Sequence, residues 1–175
     1  MATNMNVSIR YSTFLPVLME VINRTSGDVL ELGPGVFSTP YLHWMCKKMN
    51  RYLLTLESDE KWFNFCRRYY VTGRGKPFWH RFVFVKNWDD ADSLINKEWD
   101  VVLVDHSPSE RRVEEIRKLA NLAKYIIIHD ADAHKEHNYH YSTIYGLFKY
   151  RYDFTEVEPA TTVLSNFIDL KDFKV

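Results

Sequence analysis

Between positions 28 and 38 the chain reads DVLELGPGVFS, a short apolar run that closes on an acid and opens into a turn built on two glycines. Val29, Leu30 and Leu32 predict a buried strand, Gly33-Pro34-Gly35 a tight turn, and Ser38 onward a helix, STPYLHWMCKKM. A strand that passes through glycine into a helix start is a building unit of doubly wound α/β sheets, so this junction narrows the folds open to the chain. Without Cβ atoms at Gly33 and Gly35 a ligand can approach the backbone, and the helix start offers unpaired N–H groups, as in a nucleotide cradle. The same residues also satisfy a plainer reading, a β-to-α turn that needs glycine only for its dihedrals.

Two acids bear on that choice. Glu57 ends the next apolar run, YLLTLES, 24 positions after Gly33, the spacing at which an acid reaches a ribose hydroxyl pair in doubly wound folds. Glu31 precedes the glycines, where a carboxylate conflicts with a pyrophosphate but suits a ligand carrying an ammonium and a sulfonium. At these residues the sequence resembles the class I S-adenosylmethionine-dependent methyltransferases: ELGPGVFS looks like their glycine motif, and Glu57 sits where their ribose-binding acid would. As an order of elements the resemblance covers most of the chain. It implies S-adenosylmethionine as cofactor, with Glu31, Gly33, Pro34, Gly35, Ser38, Glu57, Ser58, Asn87, Trp88 and Asp105 around it, Asn87 and Trp88 near the adenine. A capping residue and a core ring are the other roles open to that last pair.

The remaining elements follow the same alternation. Residues 11–23 have helical apolar spacing, with Ser12 or Thr13 as N-cap and Pro16 in the first turn. Strands are predicted at 52–56, 81–85, 99–104 and 125–128, separated by helices over 60–70 and 109–123, with Ser107 or Ser109 capping the second. Residues 134–141 read as a polar, histidine-rich loop or lid, 142–150 as a helix, and 152–157 with 161–170 as a closing hairpin. The expected fold is one domain over 1–175, an α/β, doubly wound, mostly parallel seven-stranded Rossmann-like sheet. Its order under the resemblance is 3-2-1-4-5-7-6, with a C-terminal antiparallel hairpin.

In that order Asp105 and Asp130 end adjacent strands, each beside a histidine, His106 or His129. Carboxylates and imidazole in one cleft can hold an oxygen-loving cation or supply a general base. Small-molecule O-methyltransferases with acids at these strand ends bind Mg²⁺ there, so the resemblance implies a metal site at Asp105 and Asp130, with Asp132 or His129 as third ligand. A Gly-Gly pair that often precedes the fifth strand is missing. The expected catalytic groups are His129, Asp105 and Asp130, with His106 a second candidate base. His134, His137 and His140 lack zinc spacing and any accompanying thiolate. Ser107-Pro108 departs from the motif of amino-directed nucleic-acid methyltransferases. Arg111 and Arg112 start a helix, where the dipole disfavours positive charge; one could meet a substrate, or pair with Glu114 or Glu115.

The 23 basic and 23 acidic side chains cancel, which leaves no global field for nucleic acid; local basic stretches stand at 47–51 and 74–81. Two cysteines, Cys46 and Cys66, without metal spacing read as reduced thiols, and the N-terminus has no apolar leader. The expectation is a cytoplasmic methyltransferase acting on a small polar, hydroxylated acceptor, with no membrane partner. An NAD-dependent oxidoreductase and a non-catalytic nucleotide-binding module are the alternatives. The acceptor and the oligomeric state have no signature in the sequence.

Overall fold

In the computed structural model, which describes residues 7–69 and 78–175, seven strands form one sheet. They are β1 (Val29–Leu32), β2 (Leu53–Glu57), β3 (His80–Phe84), β4 (Trp99–Val104), β5 (Ala123–His129), β6 (Tyr150–Phe154) and β7 (Thr161–Ser165). Their order is β3-β2-β1-β4-β5-β7-β6, as the sequence led us to expect. Strands β1 to β5 pair in parallel, and β7 runs antiparallel between β5 and β6.

The central strands are buried along their whole length, VLEL, LLTLE and WDVVLV, because helices cover both faces. Parity divides the core. Leu30, Leu32, Leu54, Leu56, Val102, Val104, Ile126 and Ile128 belong to the layer with α4 (Asp92–Ile95), α5 (Arg112–Leu119) and α7 (Ser142–Tyr145). Val29, Leu53, Val101, Leu103 and Ile127 belong to the layer with α1 (Leu15–Asn23) and α2 (Ser38–Lys48). Two shorter helices complete the chain, α3 (Glu60–Cys66) and α6 (Glu136–Tyr139).

Several elements depart from expectation. The N-terminal helix is a 3-10 turn (Ile9–Ser12) followed by α1. Neither Ser12 nor Thr13 caps it: the Ser12 hydroxyl turns back to Ile9 O, and that of Thr13 reaches Pro159 O across the sheet edge. Helix α5 is shorter than 109–123, since residues 109–111 are a 3-10 turn and Ala123 already pairs with Trp99 in the sheet. Neither Ser107 nor Ser109 caps it. The helix expected over 142–150 stops at Tyr145 because Tyr150 pairs with Ser165. The predicted lid carries helical turns, and Tyr141 within it is buried in the core. Arg51 is buried too, donating to Gly27 O, Ile22 O and Thr25, so the basic stretch 47–51 is not a continuous charged surface. Residues 74–77 of the basic stretch 74–81 lie outside the described residues.

Gly33 has φ +87°, and a Cβ there would lie 2.5 Å from Asp105 C and His106 N. Gly146 would meet nothing within 4 Å. Gly33→Ala is therefore expected to lower stability by more than about 1 kcal/mol, and Gly146→Ala to leave it within about 1 kcal/mol of the parent. Urea unfolding of the two variants checks the contrast.

Candidate active site

The carboxyl ends of β1 and β4 part around the glycine turn, opening a cleft of about 820 Å³ bordered by Pro34, Gly35, Glu57, Asp59, Trp62, Asp105, Ser107, His129, Asp130 and Lys135. Ser8, Arg10 and Tyr11 close it from the N-terminal side. This is the edge at which ligands bind in open α/β sheets.

The turn is held from beneath. Glu31 points into the α1–α2 layer, fully buried, and accepts hydrogen bonds from Thr39 (3.0 Å) and Thr55 (2.7 Å). Thr39 in turn accepts the Gly35 N–H (3.0 Å). Burial pushes the Glu31 carboxyl up to about 7, against the hydrogen bonds of Ser38, Thr55 and Thr39. Ser38, itself buried, therefore serves Glu31. Neither residue borders the cleft, which corrects their expected place beside the cofactor: Glu31 is a tether for the turn.

Glu57 does border it. Its Oε1 accepts the N–H groups of Ser58 (2.6 Å) and Asp59 (2.7 Å), while Oε2 has no hydrogen-bond partner among the described residues. Burial raises this carboxyl to about 7 as well, the two backbone hydrogen bonds working against the rise. Asp59 caps α3 through Trp62 N, and the Trp62 indole donates to Pro34 O at 2.6 Å, which braces the turn from the far side.

Across the cleft, Asp105, His129 and Asp130 bring ligand-type atoms within 4.8 Å of one another. Asp130 has φ +60°. Both ring nitrogens of His129 are engaged, Nδ1 with Asp105 Oδ1 (3.3 Å) and Nε2 with Thr13 Oγ1 (3.0 Å). Burial disfavours its charge, yet Asp105 and Asp130 outweigh that and raise its pKa. Arg112, at the first turn of α5, is buried and donates to His106 O (2.7 Å), His129 O (3.2 Å), Tyr141 Oη (3.3 Å), Asp105 Oδ1 (3.0 Å) and Asp130 Oδ2 (3.5 Å). Lys135 donates to Asp130 Oδ1 (2.6 Å) and Tyr139 to Asp130 Oδ2 (3.0 Å). Burial would raise the Asp130 pKa, but His129, Lys135 and Arg112 hold it below the usual carboxylate range.

Other expected site residues fall elsewhere. Asn87 caps a 3-10 turn through a reciprocal bond with Asp90, and Trp88 is buried against the His106 ring, donating to Ser107 O. Both take the capping and core roles, and neither borders the cleft. The Ser58 hydroxyl donates to Ser107 O (3.3 Å). His106 is buried beside Glu115 and does not border the cleft, and burial lowers its pKa. Asp132 accepts Ala160 N (3.0 Å) and lies beside Lys135, outside the Asp105–His129–Asp130 cluster, so the third member of that group is His129. Arg111 pairs with Glu115 and Asp89. Cys46 and Cys66 are buried free thiols, the first pushed up to about 12 by burial. Sequence reading missed Thr13, Lys135 and Tyr139; the out-of-place charge at the start of α5 was the one signal for Arg112.

The strand order and connectivity are those of a Rossmann-like fold, and the solved structures similar to it include methyltransferases. No protein-family model matches the sequence, and no curated protein matches it. Among solved structures, the O-methyltransferase TomG from Streptomyces achromogenes, in complex with SAM, is similar at TM-score 0.68 and 15% identity, over 93% of this chain and 82% of that one. Cofactor-bound Rv0187 from MTB is similar at 0.66 and 17%, over 95% and 84%. The catalytic domain of hMettl16, in complex with a MAT2A 3′UTR hairpin, is similar at 0.65 and 11%, over 94% and 72%. No helix among the described residues is long and apolar enough to cross a membrane.

Glu31 and Glu57 hold their protons to higher pH in the folded protein than at the ordinary value of 4.5. Their contribution to stability is full below pH 4.5 and is lost as pH rises through about 7. Thermal unfolding measured from pH 4.5 to 8 should fall along this window, and Glu31→Gln should flatten the fall, the Glu31 share being on the order of 3 kcal/mol.

Proposed function

We propose that this chain is an S-adenosylmethionine-dependent methyltransferase whose acceptor is a small polar molecule that reacts through a hydroxyl. The observation that carries the reading is the convergence, in one cleft at the sheet's carboxyl edge, of the Gly35 turn with Glu57 and Asp105, each of which keeps one carboxylate oxygen without a hydrogen-bond partner among the described residues. The residues fit the donor at Glu57, whose Oε2 is free to accept from ribose hydroxyls, in a cleft whose lining mixes the acids Glu57, Asp59, Asp105 and Asp130 with the bases Arg10, Lys61 and Lys135. Balanced charge favours a small acceptor over nucleic acid.

When bound, S-adenosylmethionine supplies an electrophilic methyl group on a sulfonium. In this reading Glu57 Oε2 accepts from the ribose hydroxyls, and the backbone at Gly33 and Gly35 lies along the donor's amino-acid portion. Asp105 Oδ2 has no hydrogen-bond partner among the described residues, and takes the proton of the acceptor hydroxyl. His129, occupied at both nitrogens, orients Asp105 and does not act as a base. Asp130 fixes the opposite wall through Lys135 and Tyr139.

Calorimetric titration with S-adenosylmethionine and S-adenosylhomocysteine tests the reading, with NAD as control. Binding of the first two at micromolar strength is expected, and Glu57→Ala should weaken it about ten- to hundredfold, the loss of hydrogen bonds to a charged group. Silence toward both, or unchanged affinity in Glu57→Ala, would overturn the assignment.

A further inference from the structure

We propose that Arg112 is the resident cation of this cleft, bridging Asp105 and Asp130 where a divalent metal ion would otherwise sit, and that the site excludes such an ion. The inference rests on the methyltransferase reading for its chemistry, but its structural basis is independent of it.

The donor set is already spent. Asp105 Oδ1 receives Arg112 and His129, Asp130 Oδ2 receives Arg112 and Tyr139, and Asp130 Oδ1 receives Lys135. Of the four carboxylate oxygens only Asp105 Oδ2 lacks a hydrogen-bond partner among the described residues, whereas Mg²⁺ demands an octahedron of oxygens. The charge is spent as well: two carboxylates face one guanidinium, one ammonium and the His129 ring, so their negative charge is already offset and a dication would meet cations in contact with its ligands. Arg112 has no easy alternative position. Its side chain is 6% exposed, the Tyr139 ring lies 4.8 Å from the guanidinium carbon, and two backbone carbonyls accept from it. Asp132, which could have completed a metal site, is turned toward Ala160 and Lys135.

The consequence reaches the acceptor. A metal that bridges two acids clamps two neighbouring substrate oxygens and lowers a hydroxyl's pKa. A fixed guanidinium leaves one carboxylate oxygen, Asp105 Oδ2, facing the cleft. The acceptor that suits it presents one protonated nucleophilic atom, not a vicinal pair of hydroxyls.

Mn²⁺ binding followed by electron paramagnetic resonance, in which bound ion loses the sharp signal of the free ion, tests this on the full chain. The parent should leave Mn²⁺ free up to about 1 mM. Arg112→Gln should bind it at least about tenfold more tightly, while Arg112→Lys, which keeps the charge, should behave as the parent; a merely structural arginine would not produce that contrast. Parent binding that Asp105→Asn abolishes would overturn the proposal, as would a folded Arg112→Gln that binds no better. Parent binding that survives Asp105→Asn lies elsewhere and leaves the exclusion standing. If Arg112→Gln does not fold by circular dichroism, the parent and Asp105→Asn decide the question alone. Titration of S-adenosylmethionine with EDTA present runs in parallel: silence there counts against the methyl-donor reading and leaves the metal result untouched.

Discussion

A guanidinium taken out of water must find acceptors on every side, and Arg112 does so by gathering the ends of two strands and the chain beyond them. It binds the carbonyl and carboxylate at the end of β4, the same pair at the end of β5, and the Tyr141 hydroxyl. Burial disfavours its charge, but Tyr141, Asp105, Tyr139 and Asp130 more than offset that and raise its pKa, so it remains an obligate cation. Removing one member of such a group leaves the others charged, buried and unmatched, at a cost of several kcal/mol. Asp130 adopts a left-handed backbone conformation, which Asp tolerates better than most residues, and its bonds to Lys135 and Tyr139 hold it there.

The opposite wall depends on a buried acid. Glu31 ties β1 to α2 through Thr39 and to β2 through Thr55, and Thr55 continues to the His80 ring on β3 at 2.9 Å. Gly33 adds a steric constraint, since its missing Cβ lets the turn lie against the backbone that follows β4. Both walls are thus built from groups that face away from the cleft or toward each other. Among the carboxylate oxygens at the ends of β2, β4 and β5, what they leave without a hydrogen-bond partner among the described residues is one oxygen of Glu57 and one of Asp105.

The sheet was legible because its signal is local. Continuous apolar runs such as VVLV and YIII need two covered faces, and an acid closing a run marks the edge where the strand leaves the core. Strand β4 has the predicted bounds, and the strand order followed from the alternation of elements together with the family resemblance. Side-chain roles were less legible, because residue type does not say which way a side chain points. Glu31 was expected to face the ligand, but its parity with Val29 turns it to the helix layer. Trp88 looked equally suited to a base and to a core, and packing on His106 decided it. Arg112 has Glu115 three residues on, yet its partners lie at Asp105, His129, Asp130 and Tyr141, a set that exists only after β4 and β5 pair.

The N-terminal turn shows why the histidine that sequence favours as a base has a different task. Thr13 Oγ has one proton and lies 2.8 Å from Pro159 O, an acceptor that can only receive. Once that proton is given to the carbonyl, the threonine oxygen offers a lone pair to His129 Nε2, which must then donate. The Nδ1 side faces Asp105, also an acceptor when ionised. Both nitrogens are therefore best satisfied carrying hydrogen, and the imidazolium is the form this pocket favours, in line with its raised pKa. A ring in that state has no lone pair to give to an acceptor hydroxyl. It can hold Asp105 Oδ1 in place, and by fixing one oxygen it leaves the other as the basic atom turned toward the cleft.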